Sequence, residues 1–249
     1  GGSGYIGQAL VNYCLTKGYK VCNLDKTPLV FKHKNYEFFH FDLSDACKLP
    51  RLDFTNSSIV YLAGMADLNR ALEAPLETIE LNITSFSKIL EHISDSECCS
   101  FNYVSSIYAE SGIGGIYGTS KLCAELILEE FGKMSTSFYY NIVRLGSVYG
   151  GESSESNGLH RIVKNALEKK SIWFSGPLDT ARDYIHIEDV CLALMGLAGS
   201  RGKNSKFLIK GNSSVRMTDL CAMLEEYLGL EKADRIADHD YDGHYTQMP

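Results

Sequence analysis

Short apolar runs rich in β-branched and aromatic residues alternate along this chain with longer stretches in which apolar residues return every three or four positions. The runs Tyr19 to Asp25, Tyr36 to His40, Ser58 to Leu62, Ser100 to Val104 and Phe138 to Arg144 predict strands. The stretches Gly4 to Lys17, Leu76 to Ile93 and Gly118 to Phe131 predict helices, the second preceded by Pro75, which suits a helix start. Strands and helices in alternation imply an α/β domain, a parallel sheet covered on both faces, with ligands at the carboxyl ends of its strands. After Gly150 the pattern changes to a polar loop, residues 151–158, followed by shorter elements. This predicts a first domain over residues 1–150 and a smaller substrate lobe over 151–249, with about 182–198 packing back on the first domain. In that lobe Gly158 to Leu167 reads as a helix with a basic face, and Trp173 in Ile-Trp-Phe reads as core, or as the border of a base pocket.

Composition narrows the class. A length of 249 residues with 45% hydrophobic and 22% charged residues allows one sizeable core with a smaller appended lobe. A net charge of −7 leaves no broad basic footprint for nucleic acid, so an anionic ligand must be held locally. The longest apolar stretch, Val190 to Ala198, is too short to span a membrane, and no leader precedes it, so the chain reads as cytoplasmic. The cysteines, Cys14, Cys22, Cys47, Cys98, Cys99, Cys123, Cys191 and Cys221, contain no C-x-x-C pair. They read as buried thiols, and no metal site is expected.

Chemistry concentrates in three places. Tyr117 and Lys121 stand four residues apart, on one face if the segment is helical, with Ser105 and Ser106 shortly upstream. A phenol is a weak base, so a neighbouring ammonium and a bound cationic cofactor are needed to favour its anion. That is how a tyrosine becomes a general base. At the start of the chain Gly1, Gly4 and Gly7 form G-x-x-G-x-x-G, with Tyr5 and Ile6 inside it, and run into a helix. Such a turn lets the backbone approach a pyrophosphate while the N–H groups that open the helix attract it. Asp25 ends the next strand, where a carboxylate accepts from an adenosine ribose and repels a 2′-phosphate, favouring NAD over NADP, or else serves only the turn that ends the strand.

These residues, together with Phe41-Asp42-Leu43, Tyr61-Leu62-Ala63-Gly64, Asn82, Tyr103-Val104-Ser105-Ser106, Arg144 to Gly150 and Arg182 to Val190, resemble the extended short-chain dehydrogenase/reductase superfamily and, within it, the NAD-dependent nucleotide-sugar epimerase/dehydratase family. The resemblance implies a Rossmann-like doubly wound parallel sheet with a smaller C-terminal substrate lobe, NAD as cofactor, a nucleotide sugar as substrate and a homodimer built on the 76–93 and 118–131 helices. It implies that Asp42 and Leu43 flank the adenine, that Leu62, Ala63 and Gly64 lie along the cofactor, that Asn82 faces it, and that Lys121 bonds the nicotinamide ribose. Read without the resemblance, Asp42 caps a short helix from Ser44 and Asn82 is a solvated helix residue. Tyr117, Lys121 and Ser106 become the catalytic set: Tyr117 takes a proton from a sugar hydroxyl as hydride leaves the same carbon, giving a transient ketone. Ser106, Ser147 and Arg182 become substrate contacts, Arg182 on the diphosphate, whereas Arg161 reads as a solvated basic residue and His186 as a structural neighbour.

Departures from the family pattern shape the function expected. Dehydratases of the family carry an acid pair directly after the catalytic hydroxyl, whereas Ser106 is followed by Ile107 and Tyr108. An epimerase is therefore favoured; a reductase, dehydrogenase or decarboxylase, or a non-catalytic NAD-binding protein, is the alternative. Glu110 reads as a solvated loop residue, or else as an acid of a decarboxylase or dehydratase. Ser147 stands where the family has Asn, and only ten residues separate Ser106 from Tyr117. The sequence opens inside the glycine loop and closes at Gln247-Met-Pro249, short of the family's final elements, so a fragment of a longer chain is expected.

Overall fold

A computed structural model describes residues 1–249 except 30, 51, 95–99, 112, 136, 152–156, 176–177, 200–202, 231–233 and 239–249. Cys98, Cys99 and most of the polar loop after Gly150 lie outside the described residues. The chain forms two compact units, Gly1–Leu145 with Ile187–Ile209, and Gly146–His186 with Lys210–Pro249.

In chain order the first unit opens with α1 (Tyr5–Thr16), β1 (Val21–Asp25), β2 (Tyr36–His40), a 3-10 turn (Leu43–Lys48) and β3 (Ser58–Tyr61). It continues through α2 (Leu68–Glu73), α3 (Pro75–Ile79), a π turn (Glu80–Thr84), α4 (Ser85–Ile93), β4 (Ser100–Ser106), α5 (Tyr108–Ser111), α6 (Gly115–Met134) and β5 (Tyr140–Leu145). In the second unit follow β6 (Ser147–Tyr149), α7 (Gly158–Lys169), β7 (Ser171–Ser175) and β8 (Ala181–His186). The chain then returns to the first unit for α8 (Ile187–Leu197) and β9 (Ser205–Ile209), and ends in the second with β10 (Ser214–Arg216), α9 (Met217–Leu228) and β11 (Asp234–Asp238).

All ladders of the first unit are parallel: β1 with β2, and the series β3-β4-β5-β9. With the helices between its strands this is the expected Rossmann-like sheet. Every residue of β4 and β5 is buried, as befits strands covered on both faces. Tyr61, Phe86, Phe101, Tyr103, Phe138 and Tyr140 fill the space beside them, with Phe86 tilted against Tyr103 at 4.8 Å and edge-on to Tyr61 at 5.0 Å between centroids. The second unit packs a separate core around Ile162, Ile172, Phe174, Met217 and Leu220.

Two helices differ from the sequence reading. The predicted 76–93 helix is interrupted by the π turn, whose Asn82 is buried. Helix α6 starts at Gly115, three residues earlier than predicted, because Gly114 at φ 86° turns the chain in a conformation that side chains disfavour. Tyr117 therefore lies in its first turn. The cysteine expectation is corrected in part: Cys191 and Cys221 are buried free thiols, but Cys22 and Cys47 are exposed. Among the described residues no helix is long and apolar enough to cross a membrane.

Phe86 is wholly buried in the aromatic cluster. Phe86→Ala is expected to destabilise the first unit by roughly 3–5 kcal/mol, measured as a lowered urea midpoint of the native near-UV signal.

Candidate active site

At the carboxyl end of β4, the Ser106 hydroxyl accepts from the Tyr108 backbone N–H at 3.3 Å and lies near enough to the Tyr117 phenol to influence its ionisation. One turn along α6, Lys121 Nζ donates to the Val104 carbonyl at 3.1 Å and lies over the Tyr103 ring, 5.0 Å from its centroid. Ser106, Tyr117 and Lys121 are thus brought together, all buried. Burial pushes the Tyr117 phenol above its ordinary value, against the opposing influence of the nearby Ser106 hydroxyl. Burial also lowers Lys121 to about 8, against the opposing charge of Glu125. Tyr117 lies in the first turn of α6, at the end of the helix whose dipole favours negative charge.

The connection from Ser106 to Tyr117 is short and tightly held. Tyr108 meets Tyr117 edge-on at 6.2 Å. A Cβ on Gly118 would stand 2.3 Å from the Ile113 carbonyl oxygen, so the turn packs backbone against the helix start. Glu110 is solvent-exposed, as expected, and its carboxylate also pairs with Arg144 at 3.0 Å.

The glycine loop closes on itself and on the end of β3. A Cβ on Gly7 would lie 2.3 Å from the Gly1 carbonyl oxygen, and one on Gly1 would lie 2.5 Å from the Ala63 nitrogen and 2.7 Å from the Leu62 carbonyl carbon. A Cβ on Gly4 would make only an ordinary 3.5 Å contact, so packing within the protein does not demand that glycine; an approaching ligand would. Helix α1 has no side-chain cap and no acidic residue in its first turn, which leaves a twelve-residue helix with an uncapped amino end beside the loop. Tyr5 and Ile6 occupy that first turn, half-buried. Asp25 accepts from the Ser3 backbone N–H at 3.0 Å and from that of Thr27 at 2.9 Å, one on each oxygen, so each oxygen keeps further acceptor capacity.

Asn82 is a correction to the solvated reading. Its oxygen accepts from Met65 N at 2.7 Å, and its amide donates to Met65 O at 3.0 Å and to Ser120 Oγ at 2.9 Å. It pins the loop after β3 to α6, and a Cβ on Gly64, at φ 129°, would collide with it. Asp42 caps the 3-10 turn, accepting from Ser44 N and Oγ, and these bonds hold its carboxyl below the ordinary value. Leu43 packs on the core.

In the second unit, Arg182, Arg161, Gly158, Ile162, Trp173 and Phe174 line one hollow. The Nε atoms of Arg161 and Arg182 and the hydroxyls of Thr180 and Tyr184 are buried with no hydrogen-bond partner among the described residues. Burial pushes the Tyr184 phenol up; the Arg182 charge beside it acts in the opposite direction, though no well-formed hydrogen bond joins them. Two guanidinium groups with unmet donors suit an anion. Trp173 is half-buried in this wall, not core as its alternation suggested, because Ile172 and Phe174 take the inward face of β7. Arg161 lies in the first turn of α7, and no local spacing in the sequence singles it out. Ser147, paired with Tyr184 across β6 and β8, does not line the hollow. His186 packs edge-on against Tyr149 at 5.2 Å.

A family model described as the NAD dependent epimerase/dehydratase family matches residues 1–207. The chain belongs to this family. NAD is the cofactor of this family of enzymes, and the similar proteins that follow act on nucleotide sugars. Among similar proteins are a UDP-glucuronate 4-epimerase of Thermodesulfobacterium geofontis, 23% identical over 94% of this chain and 84% of the relative, and a dTDP-glucose 4,6-dehydratase of Shigella flexneri, 22% identical over 94% and 78%. The crystal structure of a UDP-glucuronic acid 4-epimerase from Bacillus cereus, in complex with UDP-glucuronic acid and NAD, shares the fold with a TM-score of 0.83 at 20% identity, over 98% of this chain and 86% of that one.

The folded-state value of Lys121 lies below its ordinary 10.5. In the window from about 8 to 10.5 the unfolded chain holds the proton more often, so stability linked to this residue rises with pH there. Lys121→Met, which removes the buried charge, is expected to stabilise the protein most below that window, with the gain shrinking across it; urea titrations of both proteins at several pH values check this.

Proposed function

We propose that this member of the family is a nucleotide-sugar epimerase in which Tyr117 is the general base. The observation that carries the reading is that Ser106, Tyr117 and Lys121 are buried together, with the Ser106 hydroxyl beside the Tyr117 phenol and Lys121 one helical turn along α6. Tyr117 takes the proton from a sugar hydroxyl, Ser106 holds the same oxygen by donating and accepting, and Lys121 favours the phenolate by its charge. Bound NAD supplies a hydride acceptor and, for the return step, a hydride donor. The residues fit that cofactor: the Gly1–Gly7 loop and the open end of α1 for the pyrophosphate, Asp25 for the ribose of an NAD, and Leu62, Ala63 and Gly64 along its length, with Asp42, Leu43 and Asn82 bordering it. Lys121 has donors beyond the one given to Val104 for a second ribose. Arg182, with Arg161, holds the diphosphate of the sugar nucleotide, and Ser147 is a further substrate contact.

Isomerisation is favoured over dehydration because no acid follows Ser106, and the one carboxylate in the connection to Tyr117, Glu110, is held by Arg144. A homodimer is part of the proposal, since Leu72, Leu76 and Leu126 on α2, α3 and α6 are each more than half exposed.

Incubation of the purified protein with NAD and a panel of UDP- and dTDP-sugars, read by proton NMR, is expected to yield an epimer without net reduced cofactor. Accumulating NADH absorbance would point to a dehydrogenase, a 4-keto-6-deoxy product to a dehydratase, and either result replaces the present assignment. Tyr117→Phe is expected to lower kcat by a factor of about 10²–10⁴ while NAD affinity by calorimetry stays within about threefold; equal loss of both would make Tyr117 a structural residue.

A further inference from the structure

One turn beyond Lys121 on α6 lies a charged cluster that the chemistry above does not use. Glu125 follows Lys121 by four residues and shares its helix face, and it has no exposed surface. A carboxylate taken out of water needs donors on both oxygens. The Ser105 hydroxyl donates to Oε1. Arg144 donates through Nε to Oε1 at 3.0 Å and through a terminal nitrogen to Oε2 at 2.8 Å. The Lys206 ammonium lies 3.3 Å from Oε2. These partners come from β4, β5 and β9, and Ser105 faces Arg144 directly across the β4–β5 ladder. Arg144 also reaches Glu110 on α5, and Lys206 reaches Glu129 at 3.0 Å.

Apolar packing sets the distance between a helix and a sheet but permits sliding along it; a forked guanidinium–carboxylate pair is directional. Here the fork joins the helix that carries Tyr117 and Lys121 to β5, and through Glu110 to the connection between Ser106 and Tyr117, while the Ser105 hydroxyl ties Glu125 to the strand end that carries Ser106. The groups facing Lys121 are few: the Val104 carbonyl and Tyr103 ring of β4, Tyr117 one turn back, and Glu125 one turn on. Burial keeps Tyr103 protonated, and of these neighbours only Glu125 is a carboxylate.

We propose that Glu125 is a positioning residue: tied to β4 through Ser105 and to β5 through Arg144, it holds α6 in register with Ser106 and supplies the buried negative charge that Lys121 faces. This rests on the reading of Ser106, Tyr117 and Lys121 as the reacting side chains, but its test needs neither NAD nor sugar. In protein labelled with ¹³C at the lysine ε-carbon, the Lys121 resonance is assigned by its loss in Lys121→Arg and titrated with pH. Glu125→Gln keeps the size and an acceptor for Ser105 but removes the charge, and the Lys121 midpoint is expected to fall by about half a pH unit or more. Lys206→Gln, at a position about a third exposed, removes a cation that offsets Glu125, and the midpoint is expected to rise. Opposite signs identify the field of Glu125 at Lys121. Midpoints unmoved in both variants, or moved in the same direction, overturn the proposal; if Glu125→Gln fails to fold, an unmoved or lowered midpoint in Lys206→Gln overturns it. Where turnover is found, Glu125→Gln is expected to lower kcat about tenfold or more with KM within about threefold, and an unchanged kcat removes the positioning role. Failure to find any turnover counts against the epimerase assignment and leaves the titration result standing by itself.

Discussion

A phenol and an ammonium buried on adjacent turns of one helix are both driven toward neutrality by desolvation, and the rest of the first unit is arranged around that penalty. Tyr117 is pushed up and Lys121 down, so neither ion forms without help from its neighbours. The help visible in the structure is of three kinds. The Ser106 hydroxyl near the phenol favours its anion, Tyr117 lies in the first turn of α6, where the helix dipole favours negative charge, and Glu125 opposes the loss of charge at Lys121. A general base held mostly protonated until a cation arrives beside it is a base gated by its cofactor, which is the chemical logic of the proposed function.

Positioning follows from the same constraint. A base works only within hydrogen-bond reach of the proton it removes, and α6 is fixed from several sides to meet that tolerance. Asn82 pins the loop after β3 to Ser120, the backbone of Ile113 closes on Gly118, and Glu125 joins the helix to β5 through its fork with Arg144 and to β4 through Ser105. The short Ser106–Tyr117 connection belongs to this set of fasteners, with Glu110 serving as an ion-pair partner. The second unit contributes a separate hollow with unmet arginine donors, suited to the anionic part of a substrate.

Much of this was legible in the sequence because it is local. Tyr36–His40 reads directly as a strand, Tyr117 and Lys121 share a face by spacing alone, and Gly1, Gly4 and Gly7 announce a tight turn into a helix. What escaped is long-range. The Glu125 cluster depends on β4, β5 and β9 lying side by side, and no spacing rule links Glu125 to Arg144 or Lys206. The π turn at Asn82 and its bonds to Met65, seventeen residues away, escaped because no local spacing marks either. Trp173 was misjudged because period-two alternation tells which residues share a face, not which face is inward. The early start of α6 was hidden by two glycines that read as a loop but act as the turn into the helix.

The central claim is that the Tyr117 phenol is a buried base released by a bound cation. The most direct measurement is a pH titration of the Tyr117 resonance in protein labelled with ¹³C at the tyrosine ζ-carbon, without and with saturating NAD. The account predicts a phenol that titrates above its ordinary value in the protein alone and at lower pH once NAD is bound. A Tyr117 resonance whose titration is the same in both states would contradict it.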